Sequence, residues 1–289
     1  MVLVSTISTT FLLLNTITIF PCQINGCLRM KNTQELLALP ELERNCRDLA
    51  NEAKYYSQST SIRMIRPLWQ FCLNMMGKGT GDPKYLKGEV IDSYLEAARS
   101  SNAREHHLLI WHDVHALKLA YLFGDIDLAG EHIDGAKWVS KNYVGSMAGA
   151  CAIAYYSLFL LAQARRNKQR YRSLRKVRQN LRTLKKAVEG CPENFLGKQM
   201  LVEAELAAVC GKISAAKSKY RLAILQNRDS GFWIEEALAN EQLGKVYMEE
   251  SNEDDGIAFL REAHRLYGKG AASAKVQHLI DEYGDTMMR

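Results

Sequence analysis

From Leu36 onward, apolar residues recur at spacings of three and four in segments long enough to be helices. Short clusters of Gly, Asn, Asp and Ser separate about a dozen such segments, and no run shows the period-two alternation of a strand. Three turns share one register. Gly124 precedes Ala129, Ile133 and Ala136; Gly211 precedes Ala216, Tyr220 and Ala223; Ser251 precedes Gly256, Leu260 and Ala263. The small side chains in this register let two antiparallel helices approach, while a larger one fills the space between layers. Each unit is therefore a helical hairpin, which cannot bury both faces alone and must stack on its neighbours. Successive turns in this set lie 87 and 40 residues apart, two repeats and one repeat of about forty. The pattern predicts an all-α chain: a superhelical stack of antiparallel helical hairpins over residues 36–289, TPR-like but longer in period than the tetratricopeptide's roughly 34 residues. Residues 1–35 form an apolar N-terminal segment of their own.

Helix ends follow from the same reading. Asn102, Asp125 and Asn194 stand where an N-cap oxygen would take free amide protons, with Glu105 completing a capping box at Asn102. Gly77, Gly190 and Gly211 stand where the chain leaves a helix. The longest interior loop is "GKGTGDPKYLKG", Gly77 to Gly88. In "EEALANEQLGKVY", Glu235, Glu236 and Asn240 are assigned to the solvent side and cap region of a hairpin, and Leu243, Gly244 and Tyr247 to its packed side.

Composition supports a helical core, with 47% hydrophobic residues and only five prolines. Seven cysteines, an odd number without a CxxC pair, argue against a disulfide framework. Only Cys22 with Cys27 approaches the spacing of a zinc site. Val2 to Phe20 carries no charge, but eight of its nineteen residues are Ser, Thr or Asn, and no basic residue precedes it as in a signal peptide. It reads as a buried element or a truncated leading repeat, with a targeting or membrane role as the alternative; the expected location is cytoplasmic.

Catalytic chemistry finds little support. Lys78 in "MMGKGTGD" lacks the upstream glycine, the following Ser or Thr and the leading strand of a phosphate loop. His106, His107, His112 and His115 share one predicted helix without HExxH, and Asp113 is expected about 100° around the helix from His112. Kinase catalytic-loop and GxSxG motifs are missing. No catalytic, cofactor-binding or metal-ligating residue is assigned, and the chain is expected not to be an enzyme.

One segment is unusual. "RRNKQRYRSLRKVRQNLRTLKK", Arg165 to Lys186, holds eleven of the 38 basic residues and no acidic one, which leaves 27 basic against 32 acidic elsewhere. Leu174, Val177, Leu181, Leu184 and Val188 form one helical stripe. The candidate site is the basic strip beside it: Arg165, Arg166, Lys168, Arg170, Arg172, Arg175, Lys176, Arg178, Arg182, Lys185 and Lys186. It is either a solvated face or a docking surface for an acidic protein segment. Tyr171 is the only interleaved aromatic, which disfavours nucleic acid.

"GFWIEEALANEQLGKVYME", "AFLREAHRLYGKGAASAKVQHLIDEYG", "CPENFLGKQMLVEAELAAVCGKISAA" and "LAYLFGDIDLA" resemble the helical repeat region of large multidomain signalling proteins. The likeness runs from about Leu39 to Tyr283 and is most specific at Glu235 to Asn240 and at Ala272, Ala274, Lys275, Val276 and Leu279. It departs at Gly270 and Ala271, where that family usually has Trp-Gly. There a serine/threonine kinase-like domain and a predicted signal-transduction ATPase precede the repeats, and a sensor histidine kinase often follows. The resemblance implies a non-catalytic protein-interaction scaffold in kinase-linked signal transduction, or a regulatory segment of an ATPase or kinase whose catalytic domains lie outside this chain.

Overall fold

The computed structural model describes residues 37–100, 106–166 and 169–287, with the backbone alone at 59–60, 97–100 and 106–107. The N-terminal segment 1–35, its Cys22 and Cys27, Asn102 with Glu105, Lys168, and the side chains of His106 and His107 lie outside the described residues. Among the described residues every regular element is a helix, thirteen in all, as the pattern predicts. They are α1 (Leu39–Tyr55), α2 (Ser59–Met75), α3 (Asp92–Ser100), α4 (His106–Leu122), α5 (Ile126–Glu131), α6 (Ile133–Asn142) and α7 (Met147–Arg165). There follow α8 (Arg170–Gly190), α9 (Pro192–Val209), α10 (Ile213–Asp229), α11 (Trp233–Glu249), α12 (Glu253–Lys269) and α13 (Ser273–Met287).

The hairpin register is visible in the packing. Ala216, Tyr220 and Ala223 are fully buried on α10, as are Leu260 and Ala263 on α12. Gly244 shows why small residues are needed: a Cβ there would meet the Gly256 carbonyl at 3.0 Å and Leu260 at 2.9 Å. Asp125 caps α5 as expected, its carboxylate accepting from Leu128 N–H at 3.0 Å. Gly77, Gly124 and Gly211 leave their helices in the left-handed region.

Two expectations at helix ends are corrected. Asn194 is a buried residue inside α9, because Pro192 starts that helix after Cys191. Gly190 is the last residue of α8, with Cys191 as its cap. The outer segment after Gly124 is also interrupted: Ala129 and Ala136 are buried, but at His132 the chain breaks into α5 and α6.

The helices form two layers. Helices α8 and α12 are amphipathic and bury one stripe, whereas α7, α9 and α11 are buried around most of their circumference. Helix α7 is long and apolar enough to cross a membrane by length and composition, yet 83% of its apolar window is buried inside the fold. Inner helices touch in succession, α2 to α4, α4 to α7, α7 to α9 and α9 to α11, and α13 returns to touch α2. The Leu39 amide donates to the Gly270 carbonyl at 3.1 Å, tying the start of α1 to the end of α12.

Candidate functional site

Inner helices in such an arrangement must either offer their second face to water or bury it against one another. Here they bury it, and the buried face is polar. On α11, Glu241 accepts from Lys245 at 2.9 Å, from Lys275 of α13 at 3.1 Å and from the Tyr267 hydroxyl of α12 at 3.1 Å. Lys275 is fully buried, and its ammonium also donates to the Leu122 carbonyl of α4 and to His278 Nδ1. His278 in turn bonds through Nε2 to the Phe123 carbonyl at 3.1 Å. All three ammonium protons of Lys275 are therefore used.

A second set lies nearer the start of α11. Glu235 receives Lys118 of α4 at 3.4 Å and the Tyr155 hydroxyl of α7 at 3.2 Å. Lys118 sits 4.9 Å from the Tyr155 ring centre. Lys198 of α9, also buried, rests 3.3 Å from the Phe232 ring centre, a cation–π contact. A third set joins Arg165 of α7 to Glu205 of α9 at 2.9 Å and to Glu249 of α11 at 3.5 Å, with the Tyr220 hydroxyl of α10 donating to Glu205.

The carboxylates are held ionised where they lie, although burial lowers the Lys275 ammonium from its ordinary value. Burial alone would raise the Glu241 carboxyl, but the Lys245 and Lys275 ammonium groups beside it bring it down to about 2. Glu235 is likewise lowered, burial being outweighed by Lys118 and Lys198. Burial, reinforced by these carboxylates, pushes the phenols of Tyr155, Tyr220 and Tyr267 well above their ordinary value and keeps them as donors. Such a network holds helices in one arrangement, since an unpaired charge inside would be costly.

The expectation for Glu235, Glu236 and Asn240 is thereby corrected. All three are buried: Glu235 in the network, Glu236 paired with Arg228 of α10 at 2.8 Å, and Asn240 bonded to the Glu236 carbonyl at 2.9 Å. Leu243, Gly244 and Tyr247 pack inside as read from the sequence. The signal in the sequence is weak: polar and apolar residues are interspersed all round α11, so no separate charged face marks a solvent side.

The basic strip divides into two parts. Arg165 belongs to the network, Arg166 pairs with Asp127 at 3.1 Å, and Arg170 donates to the carbonyls of Ala164 and Val209. Arg165 and Arg166 tie the end of α7 to α9 and α5, and Arg170 fastens the start of α8 to α7 and α9. Beyond them, Arg172, Arg175, Arg178, Arg182, Lys185 and Lys186 are exposed along α8 and Lys176 is half-buried, while Val177 and Leu184 of the apolar stripe are fully buried. Tyr171, Arg175, Arg178, Gln179 and Arg182 line a shallow surface depression of about 400 Å³. The side chains of Arg172 and Lys176 donate to the amides of Gln169 and Gln179, each at 3.4 Å.

The histidines of α4 behave differently from expectation. Asp113 turns back toward His112, with Oδ1 3.5 Å from Nδ1, and the same oxygen lies 3.0 Å from His132 Nδ1. His115 stays apart, its ring 5.9 Å from that of Phe71 and its Nδ1 buried without a hydrogen-bond partner among the described residues. Burial, helped by Lys118 and His112, lowers its pKa to about 3. No known protein-family model matches the chain, and no curated protein matches it, so its function is argued from this geometry.

Proposed function

We propose that the chain is a non-catalytic helical repeat scaffold, a TPR-like superhelical stack that binds an acidic protein segment along the outer face of α8. The observation that carries this reading is the run of cations at Arg172, Arg175, Lys176, Arg178, Arg182, Lys185 and Lys186, of which Arg172 and Lys176 bond to the neutral side chains of Gln169 and Gln179 and Lys185 stands near the Glu203 carboxylate. The Lys, Glu and Tyr side chains that bond to one another on the inner face support the choice of the outer one. A kinase-linked pathway is part of the same proposal, resting on the sequence resemblance. The residues that carry that resemblance, Glu235, Asn240, Lys275 and Leu279, are buried in the fold and support a likeness of architecture rather than of catalysis.

The test is binding of labelled Asp/Glu-rich peptides to the intact chain, with duplex DNA and anionic vesicles as competitors. Binding should weaken with salt and fall roughly tenfold or more when Arg172, Arg175, Arg178 and Arg182 are all changed to Ala, each exposed contact contributing about 0.2–1 kcal/mol. Equal affinity in the variant, or preference for DNA or vesicles, would sink the proposal.

A further inference from the structure

His112, Asp113 and His132 come together without any role in the polar network or the basic strip. Their ligand atoms lie within 4.8 Å of one another. Two elements deliver them: α4 carries His112 and Asp113, and the break between α5 and α6 carries His132. The approach is made possible by Gly135. A Cβ there would meet the Asp113 Cβ at 2.4 Å and the Ile110 carbonyl at 2.6 Å, so only glycine lets α6 lie this close to α4.

The proton positions then follow. His112 Nε2 lies 3.2 Å from the Leu86 carbonyl, which can only accept, so Nε2 carries the proton. That leaves Nδ1 as the ring atom facing Asp113 Oδ1, at 3.5 Å. His132 Nδ1 lies 3.0 Å from the same oxygen, so two imidazole nitrogens and one carboxylate oxygen converge on one place. Ligands held about 2.0–2.2 Å from one ion stand roughly 3–4 Å apart, the range of the two distances from the imidazole nitrogens to Asp113 Oδ1. The bond from Nε2 to a backbone carbonyl is the usual outer support of a metal-bound imidazole, fixing the tautomer that leaves Nδ1 free.

We propose that His112 Nδ1, Asp113 Oδ1 and His132 Nδ1 form a binding site for a divalent ion of the zinc class. Two imidazoles and one carboxylate suit a borderline ion rather than calcium or magnesium. Asp113 and His132 are partly exposed, which leaves an entry path and an open coordination position toward solvent. The ion clamps the broken outer segment onto α4 and, through His112 and Leu86, steadies the loop before α3.

The probes are zinc by calorimetry and cobalt by visible absorption, on the full chain with its thiols reduced. The expected result is a single saturating equivalent, a melting temperature that rises with zinc concentration, and nitrogen and oxygen donors without sulfur in X-ray absorption. His132→Ala and Asp113→Asn should each weaken binding about tenfold or more. Sulfur donors would place the ion on cysteines and overturn the assignment. Lack of saturable binding below millimolar zinc, or unchanged affinity in the variants, would overturn it too. If His132→Ala fails to fold, the near-isosteric Asp113→Asn and the absorption edge of the unaltered chain still decide.

Discussion

Ala271 sits at φ 61°, in the left-handed region that side chains with a Cβ enter only at a cost. Glycine enters this region without that cost, and Ala271→Gly is expected to stabilise the fold by about 1 kcal/mol, read as a higher urea midpoint. At the preceding position a Cβ on Gly270 would meet the Trp233 ring at 2.4 Å, so the space over this turn is already taken by an indole from α11. Lys275 shows the opposite sensitivity. Lys275→Met strips a donor from Glu241, the Leu122 carbonyl and His278, while Lys245 and Tyr267 still hold Glu241, and should cost about 1–3 kcal/mol. Replacing Glu241 by Gln in the same chain should restore part of that loss; a single variant as stable as the parent would show that the pair carries no weight. The sequence marks Ala271 and Lys275 only through the resemblance and shows neither role, because one role depends on a dihedral angle and the other on helices brought together from far apart.

Outer helices were legible because their apolar stripe and charged face follow the 3.6 period, as Val177 and Leu184 demonstrate on α8. Inner helices hide their burial: acids and amides are interspersed with apolar residues all round α11, so periodicity singles out no side, and the sequence alone places Glu235 at the solvent. The His112–Asp113–His132 cluster was illegible on similar grounds, since His132 belongs to another helix pair and only the break at that residue brings it to Asp113. The polar face joining α4, α11 and α13 makes acid stability an element-level property. Glu241 titrates in the fold near 2 instead of its ordinary 4.5, so its contribution is complete above 4.5 and is lost as pH falls toward 2. His115, held neutral down to about 3 against an ordinary 6.5, favours the unfolded chain progressively as pH falls from 6.5 to 3. Urea midpoints should therefore decline steadily below pH 6.5 and more steeply below 4.5. A His115→Phe variant should remove the upper part of the decline, and a flat profile between pH 6.5 and 4.5 in the unaltered chain would refute this account.

At the scale of the molecule, the all-helical architecture and its hairpins follow from spacing alone, but closure of the inner layer does not. Turn-to-turn distances fix what neighbours do, whereas the meeting of α13 with α2 and α4 depends on small rotations accumulated over every hairpin between them. Those contacts have a kinetic consequence. Each hairpin can form from residues close in sequence, but the bonds from Lys275 to Leu122 and from His278 to Phe123 span 153 and 155 residues, so their loop entropy is met only when the rest is in place. The seam should consequently be absent from the rate-limiting transition state. Lys275→Met is expected to accelerate unfolding in stopped-flow experiments while barely changing the refolding rate, which would make the joint between the ends the element that sets how long the folded chain survives.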